Sequence, residues 1–112
     1  MSSNASPTQP SLIRARMTGP ASALLRLRMR HVMENGQRRD TAGRPIPAWH
    51  IRGFTLTLNG QPLLSGQFGG GISKDPFLEL TLKGVKAGDR LQLDWTDTQG
   101  AQRSDRSEIQ AS

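Results

Sequence analysis

The feature that most limits how this chain can fold is an alternation of apolar and polar side chains with a period of two. The segment 25–31 reads LRLRMRH, 54–58 reads FTLTL, 78–82 reads LELTL and 91–96 reads LQLDWT. Successive side chains of a strand point to opposite faces, so each segment has one apolar face and one polar face. No segment keeps a helical period over three turns. We therefore predict a fold built from β-strands.

Turn signals separate these strands and indicate where the others lie. Asn59-Gly60 directly follows the 54–58 segment, and this dipeptide is a strong hairpin signal. Pro62 begins the expected return strand, which predicts an edge position because proline cannot donate a ladder hydrogen bond. About seven short strands with such turns predict an all-β fold, an immunoglobulin-like antiparallel β-sandwich. The remaining strands are expected at 12–17, 62–68 and 101–109.

The length and the lack of cysteine bound the organisation and the chemistry. The 112 residues fit one domain, and we predict a flexible tail over residues 1–11 and a β-sandwich domain over 12–112. The tail lacks the pattern of a secretory signal peptide, which taken alone favours the cytoplasm. No apolar run approaches the roughly 20 residues of a membrane span. Because cysteine is absent, any thiol chemistry has to come from a partner.

The positive charge is concentrated in the first half of the chain. The net charge is +6, every basic residue before position 53 is an arginine, and only Glu34 and Asp40 oppose them there. Arginine suits carboxylates and oxyanions because its donors form a planar fork. The pattern is typical of a solvated face, and it is compatible with docking to acidic partners, oxyanion steering or polyanion binding. No helix-turn-helix, zinc spacing or aromatic platform accompanies it.

Catalytic and metal-binding signals are weak. His31 lies between Met29 and Met33 on one strand face, which favours core packing and leaves a small copper site as an alternative. His50 has no matching ligand motif, and Asp97 is interpreted as a turn former. No nucleophile elbow is present. We therefore expect a protein that is not an enzyme and that binds no metal or cofactor.

Two segments interrupt the rhythm of the strands. The connection 33–47 reads MENGQRRDTAGRPIP, and its turn signals and closing Pro-Ile-Pro predict an ordered loop. The segment 66–75 contains three successive glycines, which favour tight turn geometry. No Lys-Ser/Thr pair follows, so it is not a phosphate-binding loop.

The segment 31–40 is the most specific motif of the chain. It reads HVMENGQRRD, which resembles the pattern H-x-M-E-x-G-x-R-x-D of the SoxZ family. The likeness continues through 43, 46–47, 51 and 54, 58–60, 75–78 and 93–97, and covers about residues 24–110. Asp75 stands where many relatives have Asn, and it still suits a turn before Pro76.

The resemblance implies a function that needs no reactive groups on this chain. SoxZ proteins are immunoglobulin-like sandwiches that form a heterodimer with SoxY, the cysteine-bearing carrier of sulfur intermediates in periplasmic thiosulfate oxidation. Other Sox enzymes visit that carrier transiently. The resemblance implies a periplasmic location, with export as a passenger of the signal-bearing partner, and no nucleic-acid or membrane partner.

We predict that the 33–47 loop contributes to the partner surface, because it is long, stiffened by proline and charged. Hydrogen bonding within the loop is an equally weighted interpretation of the same residues. A second hypothesis is that Arg26, Arg28 and Arg30 steer acidic enzymes or oxyanions. Other functions left open are an accessory module of another dehydrogenase system and a basic polyanion or nucleic-acid binder. The predicted partner-binding residues are His31, Glu34, Arg38, Arg39, Asp40, Arg44, Ile46 and Pro47.

Overall fold

Seven β-strands form in the computed structural model, which describes residues 8–69 and 71–112. Within those ranges the structure contains no helix long and apolar enough to cross a membrane. The predicted all-β fold is confirmed. The strands are β1 (Leu12–Gly19), β2 (Ser22–Arg28), β3 (Ile51–Leu58), β4 (Gln61–Gln67), β5 (Phe77–Lys83), β6 (Arg90–Asp97) and β7 (Gln102–Gln110).

The strands follow the order β4-β3-β6-β7-β1-β2-β5 and form the two layers of an immunoglobulin-like sandwich. One layer contains β4, β3, β6 and most of β7, and the other contains β1, β2 and β5. The end of β7 joins the layers, because Ile109 and Gln110 pair with Ala15 and Arg16 of β1. This short contact is parallel, whereas the other neighbours are antiparallel as predicted.

Alternate side chains of the two layers meet in one core. Leu25 and Leu27 of β2 are buried, and so are Leu91, Leu93 and Trp95 of β6. These are the apolar positions of the alternating segments, so the period of two correctly assigned the inner face. The polar positions between them lie on the outer faces.

The Asn59-Gly60 hairpin forms as predicted between β3 and β4. Both residues have positive φ, 50° and 83°, which is the backbone of a type I′ turn. The Asn59 side chain fixes this end of the sandwich, since its Oδ1 accepts from the Arg90 N–H at 2.8 Å. Strand β4 lies at the edge of its layer, in agreement with the prediction from Pro62.

The predicted tail extends beyond the described residues, which exclude positions 1–7. Its last residues contact β7. Ser11 is buried and its N–H donates to Asp105 Oδ2 at 2.8 Å, while Arg103 Nη1 donates to Thr8 Oγ1 at 3.3 Å. These bonds hold residues 8–11 against the sandwich.

Candidate partner-binding site

The connection between β2 and β3, residues 29–50, folds back on itself as an irregular hairpin. At its base, Glu34 and Trp49 exchange backbone hydrogen bonds of 2.7 and 2.9 Å. Further out, the Ile46 N–H donates to the Arg38 carbonyl at 2.7 Å. A long loop crossed by such bonds has a defined shape, because its backbone groups are paired with each other.

The tip of this hairpin is held by Asp40. Its Oδ1 accepts from the N–H groups of Ala42 and Arg44, each at 2.9 Å, which is the local bonding typical of aspartate in turns. Gly43 has a φ of 82°, a conformation that side chains disfavour. Arg39 Nη1 donates to the Gly43 carbonyl at 2.8 Å. The tip is therefore ordered by its own residues.

Arg38 and Glu34 form a two-pronged ion pair along one side of the loop. Arg38 Nε donates to Glu34 Oε1 at 3.1 Å, and Nη2 donates to Oε2 at 2.6 Å. This pairing lowers the pKa of Glu34, outweighing the opposing effect of burial. The Arg38 side chain is still 66% exposed, so its remaining donors face solvent. Glu34 thus orients a guanidinium at the surface.

A buried group of polar and aromatic side chains supports the base of the loop. His31 and Asp97 are 7% and 3% exposed, and His31 Nε2 lies 3.0 Å from Asp97 Oδ2. The Met33 N–H donates to His31 Nδ1 at 3.1 Å. Because Nδ1 accepts a hydrogen bond, the proton of the neutral ring is on Nε2, which donates to the carboxylate.

Two tryptophans enclose this histidine. The ring centroids of Trp49 and Trp95 lie 5.2 and 5.4 Å from that of His31, both edge to face. Trp49 Nε1 also donates to Asp97 Oδ2 at 2.8 Å. We call the group His31, Trp49, Trp95 and Asp97 the hub.

Asp97 serves the hub and its own turn together. Its Oδ1 accepts from the N–H groups of Gln99 and Ala101 at 2.9 and 2.8 Å. Burial raises the pKa of Asp97, but the hydrogen bonds from His31, Trp49 and the two backbone groups outweigh burial, so the pKa lies below its ordinary value. The hub therefore contains an ionised carboxylate with four donors.

A cavity of about 300 Å³ lies beside the hub. Arg30 and Lys74 line it together with His31, and Thr8 borders it from the N-terminal side. Trp95 Nε1 is buried without a hydrogen-bond partner among the described residues. A small cleft with basic side chains on its wall can admit water or a polar group of a partner.

The hydrogen bonds of His31 in the hub stay within the protein. Both ring nitrogens of His31 take part in hydrogen bonds within the protein, so neither is free to accept a proton or bind copper. The Met33 sulfur accepts from the Ile51 N–H at 3.4 Å, and Met29 is fully buried. The described residues contain no cluster of three or more His, Cys, Asp or Glu that could hold a metal ion.

The predicted partner-binding residues differ in how far their side chains are buried. His31 is interior, while Glu34 and Ile46 are half-buried. Their positions suit the orienting role expected of His31 and Glu34. The internal hydrogen bonds expected as the alternative are present as well, and they leave the charged side chains exposed. The exposed members are Arg38, Arg39, Asp40, Arg44 and Pro47.

The contacts of His31 with Trp49, Trp95 and Asp97 were not predictable from the local sequence pattern. Asp97 was interpreted only as a turn former, a role that its bonds to Gln99 and Ala101 show. The available signals were Trp95 two positions before Asp97 and Trp49 just after the 33–47 loop. Those signals do not specify which side chains meet.

Comparisons with known proteins give a family and a fold. A sequence model of the family described as "Sulphur oxidation protein SoxZ" matches residues 14–108. No curated protein gives a significant match. Among solved structures, a superoxide reductase (neelaredoxin) from Ignicoccus hospitalis is 19% identical, with a TM-score of 0.61 over 94% of this chain and 82% of that chain. A variant of the same protein is 18% identical, with a TM-score of 0.59 over 92% and 80%. At such identity these structures show the fold alone.

Proposed function

Because the chain belongs to the SoxZ family of sulfur-oxidation proteins, we propose that it is the non-catalytic subunit of a periplasmic sulfur-carrier heterodimer. The observation that carries the proposal is the family match, which spans nearly the whole domain. Its partner is a SoxY-like subunit, and other Sox enzymes visit the complex transiently. The thiol that holds the sulfur belongs to the partner, since this chain has no cysteine.

The hydrogen bonding of His31 in the hub supports the proposal that this chain has a non-catalytic role. A catalytic histidine needs a ring nitrogen that can exchange a proton with a substrate. In this chain both nitrogens of His31 are bonded inside the protein. The same bonds fix the start of the 29–50 connection against β6. The hub therefore acts by positioning a loop.

The exposed part of that loop is the surface we assign to the SoxY-like partner. Glu34 accepts from the Arg38 side chain, the Gly43 carbonyl accepts from the Arg39 side chain, and Asp40 accepts from the Arg44 N–H. A surface that is ordered before binding loses less entropy on association. The arginines can then donate to carboxylates or carbonyls of the partner.

Periplasmic location is part of the same proposal. The export route that we propose is as a passenger bound to a partner that carries the signal. The proposal predicts that export of this chain depends on co-expression of the partner.

Co-expression with the SoxY-like protein of the same source tests the proposal. Native mass spectrometry of the purified complex is expected to show one copy of each chain, with the reactive thiol on the partner. Isolation of this chain alone would contradict the proposal.

A paired substitution tests the loop. Arg38→Ala/Arg39→Ala is expected to raise the dissociation constant of the heterodimer roughly tenfold or more, the scale of interfacial arginine contacts. Arg90→Ala/Arg106→Ala is the matched control, because both of those arginines are exposed and lie on strands β6 and β7 rather than in the loop. Equal dissociation constants for the two variants would remove the loop from the interface.

A further inference from the structure

The outer face of the β1-β2-β5 layer collects arginines in adjacent positions. Strand pairing places Arg14 of β1 directly opposite Arg26 of β2. Arg16 is one pleat further along β1, and Arg28 is one pleat along β2, paired with Leu12. All of these arginine side chains are exposed. We call the outer side chains of β1 and β2, together with the adjoining Phe77 of β5, the Arg face.

Little on the sheet offsets this charge. Like charges directly opposite on neighbouring strands destabilise a sheet. Glu79 accepts from Arg26 at 2.8 Å, but the two side chains are 60% and 48% exposed, and such surface pairs add little stability. The described residues give Arg14 and Arg16 no carboxylate within salt-bridge distance. Glu108 of β7 borders the same groove as Arg14, Arg16 and Arg26, so the charge of this row is offset only in part, by Glu79 and Glu108.

The other layer has a different surface. There, Arg90 is paired with Glu108, and Arg106 is paired with Gln92 across β6 and β7. Asp94 lies two positions further along β6. Charges of both signs are interspersed on that face, whereas arginines predominate among the exposed side chains of β1 and β2.

Apolar side chains lie among the arginines. Leu12 is 50% exposed and Phe77 is 49% exposed, and both occupy the row that contains Arg28. Arginine, aromatic and aliphatic side chains together are typical of protein interfaces. The Arg28 guanidinium lies 5.1 Å from the Phe77 ring centroid. That face of the ring is occupied, which makes it unsuitable as a stacking platform for a nucleic-acid base.

We propose that the Arg face docks an acidic protein surface in a transient, electrostatically steered encounter. The identity of the docking protein rests on the proposed function: this visitor is a protein that acts on the sulfur held by the partner subunit. A face whose exposed charges are only partly offset suits fast association and easy release. The SoxY-like subunit is assigned to the loop surface above, which leaves the Arg face to the transient visitor.

The test measures association of the purified heterodimer with each of the other Sox proteins of the same source, immobilised one at a time. Arg14→Thr/Arg16→Thr is the variant, because neither arginine is bonded to a described carboxylate. Arg90→Thr/Arg106→Thr removes the same charge from the other layer. At low salt the first variant is expected to slow association roughly tenfold or more, and the control much less. The wild-type rate is expected to fall steeply as salt rises.

Native mass spectrometry of each complex is done first, so that the two proposals fail separately. Absence of a heterodimer in the wild type contradicts the proposed function. A heterodimer lost only in Arg14→Thr/Arg16→Thr would assign the Arg face to the permanent partner and overturn the transient role. Association that is equal for both variants and insensitive to salt would also overturn it. So would tight, equally Arg-dependent binding of a random-sequence DNA duplex, which would indicate a polyanion surface.

Discussion

Asp97 joins parts of the chain that no local interaction connects. Its two carboxylate oxygens accept from His31, from Trp49 and from two backbone groups of its own turn. A neutral side chain of the same shape at position 97 could accept hydrogen bonds from only some of these four donors. Buried donors without acceptors are costly, so this residue is the most sensitive point of the hub.

Asp97→Asn tests that conclusion. The amide NH₂ has to face either the side-chain donors or the backbone donors, so at least one pair loses its acceptor. We expect a loss of about 3 kcal/mol in the free energy of unfolding, measured by urea denaturation. Asp94→Asn is the control on the same strand, because Asp94 accepts only from Gln92. Similar stabilities for the two variants would contradict the assigned role of Asp97.

The dependence of stability on pH follows from the same carboxylate and from Asp105. Burial raises the pKa of Asp105, but hydrogen bonds from Arg103 and Ser11 outweigh it, so the pKa is lowered, as for Asp97. The folded state binds these protons less tightly than the unfolded state. Their contribution is complete above the ordinary aspartate pKa of about 3.9 and is lost as pH falls through the lowered values.

We therefore expect the free energy of unfolding to decrease below about pH 4. In Asp97→Asn this acid-dependent decrease should be smaller, because one of the carboxylates whose pKa is lowered in the folded state is absent. Urea denaturation at several pH values between about 6 and 3 measures both slopes. An unchanged slope in the variant would show that Asp97 titrates alike in the folded and unfolded states.

At the scale of elements, the β3-β4 pair shows how a glycine is required by packing. A Cβ placed on Gly66 of β4 would lie 2.7 Å from Cε1 of Phe54 in β3. Phe54 is buried and packs against Phe68, with ring centroids 5.4 Å apart. The ring cannot move away without disturbing that contact.

Gly66→Ala is expected to destabilise the protein by about 1–3 kcal/mol, the range for overpacked sites. Gly69→Ala is the matched control, because a Cβ at Gly69 meets no atom within 4 Å and its φ is not positive. Thermal unfolding of both variants measures the difference. Equal midpoints would mean that Phe54 relaxes into space that the structure does not show.

The sequence predicted the elements whose signals are local. The period of two assigned Leu25 and Leu93 to the inner face, and Asn59-Gly60 gave the hairpin, because each of these patterns involves neighbours along the chain. The parallel contact between Ala15 and Ile109 has no such signal. It depends on how two layers meet, which only the folded chain specifies.

The features of the candidate site that have a local sequence signal were also predictable. The inner-face pattern correctly placed His31 among buried residues, and the turn signals and prolines indicated an ordered 33–47 loop. His31 and Asp97 are 66 positions apart, so their contact was outside any local pattern. Periodicity could not predict the hub, because the hub forms where the ends of strands that are distant in the sequence meet.

At the scale of the whole molecule, the two layers present different charges to solvent. One outer face combines Arg14, Arg16 and Arg28 with apolar side chains, and the other pairs Arg90 with Glu108. A surface shaped by folding stability alone would intersperse opposite charges on both faces, as the second layer does. The asymmetry therefore predicts a measurable conflict between stability and binding.

Arg14→Thr/Arg16→Thr should be more stable than the wild type at low salt, because it removes repulsion between Arg14 and Arg26 and places strand-favouring residues in β1. Salt screens that repulsion, so the gain in the midpoint of thermal unfolding should shrink as salt rises. Arg90→Thr/Arg106→Thr should show no such gain, because the substitution at position 90 removes the positive charge that lies opposite Glu108. A first variant that is less stable than the wild type at every salt concentration would show that these arginines contribute to folding. Greater stability together with slower association would show that the Arg face is maintained for binding, at a cost to the fold.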